Sequence, residues 1–152
     1  MTQLLSAAAA SDRTHEPAFD PAEIAGMRTA AVILGGMAAL QVAAWVRGQP
    51  GAIVGAAVDA FLAVQLFRLR HSWRAWTMVR AAIGLLLGAL TIVAQIASTR
   101  GTMWGLMLGL AQCLYGASLF VLLYGTPTVG RVRTGRVVFI ASLAATVAAQ
   151  FV

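Results

Sequence analysis

The chain has 152 residues, of which 60% are hydrophobic and only 11% charged, and its formal net charge is +6. An ordinary soluble domain carries roughly 25% charged residues, so this composition excludes a water-facing shell and points to lipid as the natural solvent. All eleven basic residues are arginines, set mostly in short connections between apolar runs, as expected of topogenic charge meeting anionic headgroups and not of a nucleic-acid face.

Residues 1–20 hold a short alanine-rich run from Leu4 to Ala10 with no basic residue before it. This run does not read as a signal peptide, and the segment is expected to be a flexible N-terminal tail. The bundle proper is placed at residues 21–152. It begins at Asp20-Pro21-Ala22-Glu23, where Asp20 can cap free N–H groups, Pro21 suits the first helical position and Glu23 completes a capping box. The first helix should run to Val46, and Arg47-Gly48-Gln49-Pro50-Gly51 turns the chain back beside it. A second helix is expected over 51–69, followed by the basic, aromatic connection Arg68-Leu69-Arg70-His71-Ser72-Trp73-Arg74-Ala75-Trp76, whose tryptophans suit headgroup level. A third helix over 73–98 and a fourth over 103–124 are joined at Thr99-Arg100-Gly101-Thr102, and Gly125-Thr126-Pro127 stops the fourth. The connection 131–136 leads to an apolar run over 137–152 that is slightly short for a crossing.

The fold class is therefore all-α: a polytopic transmembrane helix bundle of four spans plus a short fifth, antiparallel in up-down order, with short loops forcing sequential neighbours together. Nine arginines fall on the side of the N-terminus and only Arg47 and Arg100 on the other. This bias places the N-terminus in the cytoplasm. The absence of lysine and the wealth of alanine and glycine fit a GC-rich bacterial genome, and hence a bacterial cytoplasmic (inner) membrane.

The two hairpins resemble each other. Arg28, Gln41, Arg47 and Asp59 are followed in the same order, 52 to 54 positions later, by Arg80, Gln95, Arg100 and Gln112. A parallel repeat is one explanation, and chance alignment of alanine-rich helices is the other.

Three helices carry small residues at four-residue spacing. Gly51 and Gly55 precede Asp59, Gly84 and Gly88 precede Gln95, and Gly105 and Gly109 precede Gln112. Such pairs let helix backbones approach and mark packing faces. The polar side chains Asp59, Gln41, Gln95 and Gln112 are thus expected to form one cluster in the outer half of the bundle. Asp59 must either stay neutral or find donors there, because an unpaired charge within a span is costly. By depth, Arg47 and Arg100 are the candidate charge partners.

The sequence offers no nucleophile–base pair, paired carboxylates or phosphate loop, and no enzyme is expected. Cys113, His15 and His71 lack metal-site spacing, so neither metal nor cofactor is expected. Two functions fit. The chain is an accessory or assembly subunit, packing within the lipid bilayer against a protein partner or itself; or it is a small oligomeric proton- or cation-coupled transporter or channel using Asp59.

Overall fold

The computed structural model describes residues 20–98, 101–125 and 128–149; the expected tail and Arg100 lie outside them. The described residues form five α-helices and no strand: α1 (Pro21–Val46), α2 (Ala52–Phe67), α3 (Ser72–Ala97), α4 (Met103–Leu123) and α5 (Val129–Ala148). α1, α3 and α4 are long and apolar enough to cross a membrane, while α2 is equally apolar but shorter, at 16 residues.

Local chemistry sets the helix boundaries. Asp20 Oδ1 accepts the Ala22 N–H at 2.9 Å and Pro21 occupies the first position. Glu23 does not complete the capping box; its carboxylate is drawn to Arg74. At the end of α1, Gly48 takes a left-handed φ of +91°, and the Gly48 and Gln49 N–H groups return to Trp45 O and Ala44 O. This is a Schellman closure. α2 closes in the same way through Leu69 at φ +55°, with the Leu69 and Arg70 N–H groups donating to Leu66 O and Gln65 O. A side chain in that region costs about 1–2 kcal/mol, offset here because Leu69 packs against the core.

α5 begins eight residues before the expected apolar run. Thr128 caps it by accepting the Arg131 N–H, so Arg131, Arg133 and Arg136 lie in its first turns and not in a connection. Arginine is a good helix former, and nothing after the cap interrupts the hydrogen-bond ladder.

α3 and α4 pack most intimately. A Cβ placed on Gly88 would lie 2.8 Å from both Cys113 N and Gly109 O, and one on Gly116 would lie 2.7 Å from Ala81 O. The two backbones are therefore in direct contact. Of the expected glycine pairs, Gly105 and Gly109 both face α3, while the members of the other two pairs meet different surroundings. Gly88 and Gly109 meet the neighbouring backbone, Gly84 faces only the Arg80 side chain, and Gly105 makes room for the Gln95 amide. Gly51 has open space around it. On α5, Gly135 admits the Leu122 side chain.

α1 packs along α2, and α5 along α4, but α2 and α3 scarcely touch despite their short connection. Sequential adjacency does not force packing here, because each helix has a closer partner on its other side. An edge-to-face contact between Phe61 and Trp73, with ring centres 4.9 Å apart, bridges the seam. Behind it runs an apolar groove of about 450 Å³ between Val58, Leu62, Val79 and Ile83. The core lies where α1, α2 and α4 converge, on Met27, Leu34, Leu62, Leu66, Leu119 and Leu122.

Because a methyl at Gly88 or Gly116 would meet immovable backbone, Gly88→Ala and Gly116→Ala should each destabilise the bundle by about 1–3 kcal/mol. Gly51→Ala should not destabilise it. Unfolding of the three variants in a mixed-detergent titration checks the contrast.

Candidate functional site

Asp59 sits at the middle of α2, on the stripe that also buries Ala56, Leu62 and Leu66, and its exposure is 0%. A carboxylate so placed has no water to solvate it and needs donors. The bundle supplies three. Arg80 Nε donates to Oδ1 at 2.9 Å, Arg80 Nη2 to Oδ2 at 3.1 Å, and Gln41 Nε2 to Oδ2 at 2.8 Å. The fork of the guanidinium thus meets both carboxylate oxygens, the strong geometry for such a pair.

Glycines shape the surroundings. A Cβ on Gly55, one turn before Asp59, would collide with Gln41 Oε1, so Gly55 is what lets the amide reach the acid. Gly84, one turn after Arg80, leaves a bare strip whose nearest neighbour is Arg80 Nη1 at 3.6 Å from the Cβ position. On the opposite side the Arg80 guanidinium carbon stands 5.9 Å from the centre of the Tyr115 ring, within cation–π range. Four helices therefore meet at one acid: Gln41 from α1, Asp59 from α2, Arg80 from α3 and Tyr115 from α4. Gln41 Oε1 is buried there with no hydrogen-bond partner among the described residues, and the buried Tyr115 hydroxyl lies against Asp59.

The charge partner of Asp59 is thus Arg80, not Arg47 or Arg100. Arg47 is exposed at the end of α1, and Arg100 lies outside the described residues. Asp59 and Arg80 are each eight residues from the α2–α3 turn, about 12 Å at 1.5 Å per residue, so the two meet at one level. Gln41 joins them, whereas Gln95 and Gln112 do not. Gln95 Oε1 accepts the Thr102 N–H at 2.9 Å and closes the α3–α4 turn; Gln112 stays half-buried on α4. The repeat-related residues consequently do different work: Gln41 binds the acid while Gln95 braces a turn.

A second polar cluster closes one end of the bundle. Arg74, with its side chain 12% exposed, donates to Glu23 Oε1 at 2.7 Å, to Leu123 O at 2.6 Å and to Gly125 O. His71 Nδ1 lies 3.5 Å from the same Glu23 oxygen. Arg131 donates to Tyr124 O at 2.7 Å, and Arg136 to Thr29 Oγ1 at 3.1 Å. The starts of α1 and α3 are thereby tied to the end of α4, and free helix-terminal carbonyls gain cationic donors. Composition had assigned these arginines to topogenic charge alone. The signal for Arg80 was its place eight residues inside a helix, on the Gly84–Gly88 face; for Arg74 there was no comparable signal.

Cys113 Sγ lies 3.7 Å from Leu85 O inside the α3–α4 contact. Among the described residues no three histidine, cysteine or acidic side chains gather closely enough to hold a metal ion. No protein-family model matches the sequence, and comparison with curated proteins and with solved structures found no match.

Removing one member of a buried pair strands the other. Asp59→Asn and Arg80→Gln should each cost about 3–5 kcal/mol of stability, whereas Asp59→Leu combined with Arg80→Met should recover most of the loss. A double-mutant cycle on unfolding free energies measures this coupling, and strictly additive losses would mean that the two groups are not a unit.

Proposed function

We propose that the protein is a multi-pass membrane protein that serves as an accessory or assembly subunit, packing its helices against a larger membrane partner. The observation that carries this reading is the commitment of Asp59. It is the one acid beyond the first turn of any described helix, and both its oxygens are taken up by Arg80 and Gln41. A carboxylate held in this way sets the register of α1, α2 and α3, and a transported ion would have to displace a guanidinium to reach it. The open α2–α3 seam supplies an apolar face on which a partner helix can lie.

In the proposed topology α1 to α4 span the bilayer, with the N-terminus in the cytoplasm of a bacterial cell. α5 is a short fifth segment beside α4: past Arg136 its remaining twelve residues reach about 18 Å, less than the full hydrocarbon thickness. The arginine-rich ends then lie inside, in keeping with the charge bias.

A second reading has one specific support. Gln41 Oε1 is buried beside the ion pair without a partner among the described residues, with the Tyr115 hydroxyl also at Asp59, and an orphaned polar atom costs about 1–3 kcal/mol. Retained polarity of this kind beside an acid is what proton- or cation-coupled transport through Asp59 would use.

The mass of the intact particle, purified from its native host in mild detergent, separates the two. Accessory function predicts a stoichiometric larger partner. A particle of this chain alone, with proton flux in vesicles that Asp59→Asn abolishes, would replace that reading with transport.

A further inference from the structure

A groove of about 650 Å³ runs between α1 and α5 at the end where both helices begin, and it is built unlike the apolar α2–α3 seam. Arg28 and Arg136 line it, one from each helix, together with Thr29. Further along the two helices the walls are Val32, Ile33, Phe139 and Ile140, with Ile24 on the helix-start side of Arg28. Arg136 donates to Thr29 Oγ1 at 3.1 Å, which fixes its guanidinium beside α1. Arg28 is exposed and makes no ion pair or hydrogen bond among the described residues. No acidic side chain lines the groove. Of the nearest carboxylates, Glu23 is held by Arg74 and Asp20 caps α1.

Depth gives this pattern a meaning. α1 has 26 residues and is about 39 Å long, against roughly 30 Å of hydrocarbon, which leaves close to 9 Å for the headgroup layer. Arg28 and Arg136 each stand seven residues from the start of their helix, about 10 Å along it. Both guanidinia therefore lie at the boundary where lipid phosphates sit, with an apolar channel leading inward from them. Two cations, a hydroxyl and an acyl-sized apolar trough complement an anionic amphiphile.

We propose that the α1–α5 groove is a seat for one anionic phospholipid: Arg28 and Arg136 take the phosphate, and Val32, Phe139 and Ile140 take an acyl chain. Charge-assisted hydrogen bonds to phosphate are strong and oriented, which holds a headgroup at one place instead of by diffuse attraction to a negative surface, and the two guanidinia disfavour a headgroup that also carries a cation. The seat would glue α5, otherwise joined mainly to α4, to α1. The proposal rests on the membrane reading but on neither the accessory nor the transport role.

Native mass spectrometry of the full chain in mild detergent tests it, with phosphatidylglycerol and phosphatidylcholine of identical acyl chains as probes. The expected result is one retained phosphatidylglycerol at a concentration about tenfold below that needed for phosphatidylcholine, whose phosphate is the same but whose choline cation would be repelled by the two guanidinia. Arg28→Gln should erase the difference, and Arg133→Gln, on the same helix end outside the groove, should preserve it. Arg28 carries the decision because it braces nothing else among the described residues, so its loss leaves the fold standing. Equal retention of the two lipids would overturn the proposal, as would an equal loss in Arg133→Gln or displacement of phosphatidylglycerol by millimolar inorganic phosphate. Capture of an acidic peptide in preference to lipid would make the groove a protein interface instead. Recovery of the chain in buffer without detergent would defeat the membrane reading itself, a distinct failure from loss of lipid selectivity.

Discussion

A carboxylate cut off from water must be neutralised by its surroundings, and the arrangement of four helices follows from how this is done for Asp59. The acid is fully buried on α2, and the donors come from α1 and α3. For Gln41 to reach, α1 and α2 must come within one glycine of each other at Gly55. For Arg80 to reach, α3 must lie at the same level, with Tyr115 of α4 behind it. In an apolar solvent dispersion alone discriminates weakly between helix registers, since lipid tails pack as well as leucine does. A directional pair with a third donor does discriminate. Burial of such a pair gives little net stability; what it fixes is which face of each helix points inward.

The remaining helix contacts fall into two physical kinds. Between α3 and α4 the glycines remove side chains so that backbones touch, and Gly88, Gly109 and Gly116 form one continuous strip. Glycine also clears space for a particular side chain: the Gln95 amide at Gly105 within the same α3–α4 contact, the Gln41 amide at Gly55 between α1 and α2, and Leu122 at Gly135 between α4 and α5. The α2–α3 seam belongs to neither kind. It has a polar bridge at Asp59–Arg80, an aromatic bridge at Phe61–Trp73 and a gap between them. The hairpin of α1 and α2 is therefore joined to the other three helices by a few directional contacts and the shared leucine core.

Much of this was legible from residue order. Asp20-Pro21 started α1 as read, Gly48 ended it, and the first four helices were expected within two residues of their observed bounds, because caps, breakers and long apolar runs are local properties, whereas α5 begins eight residues earlier than its apolar run. Partner choice was not local. Arg80 was counted with the loop arginines, although its position eight residues into α3 and its alignment with Gly84 mark it as an inward-facing cation. Arg74 carried no such mark, since its work is to meet Glu23 and the carbonyls of α4 across 49 to 51 residues. The glycine pairs were legible only in part for a related reason. Spacing shows which residues share a face, but not whether a backbone or a side chain fills the space left beside them.

The distribution of arginines ties these points together. Arg80 neutralises the one deeply placed acid, Arg74 and Arg131 satisfy the carbonyls at the end of α4, and Arg136 hydrogen-bonds Thr29 on α1. Each is the long, multiply donating side chain that can serve several acceptors at once, and a lysine in the same place would satisfy fewer of them. With Arg80, Arg74, Arg131 and Arg136 engaged in this way, Arg28 stands out as a cation lining a groove with no acceptor from the described protein residues. A charge bias that composition reads as topology is thus in part a set of internal cross-links, made by four of the nine arginines among the described residues. What is left over at Arg28 and on the outward side of Arg136 lines the α1–α5 groove.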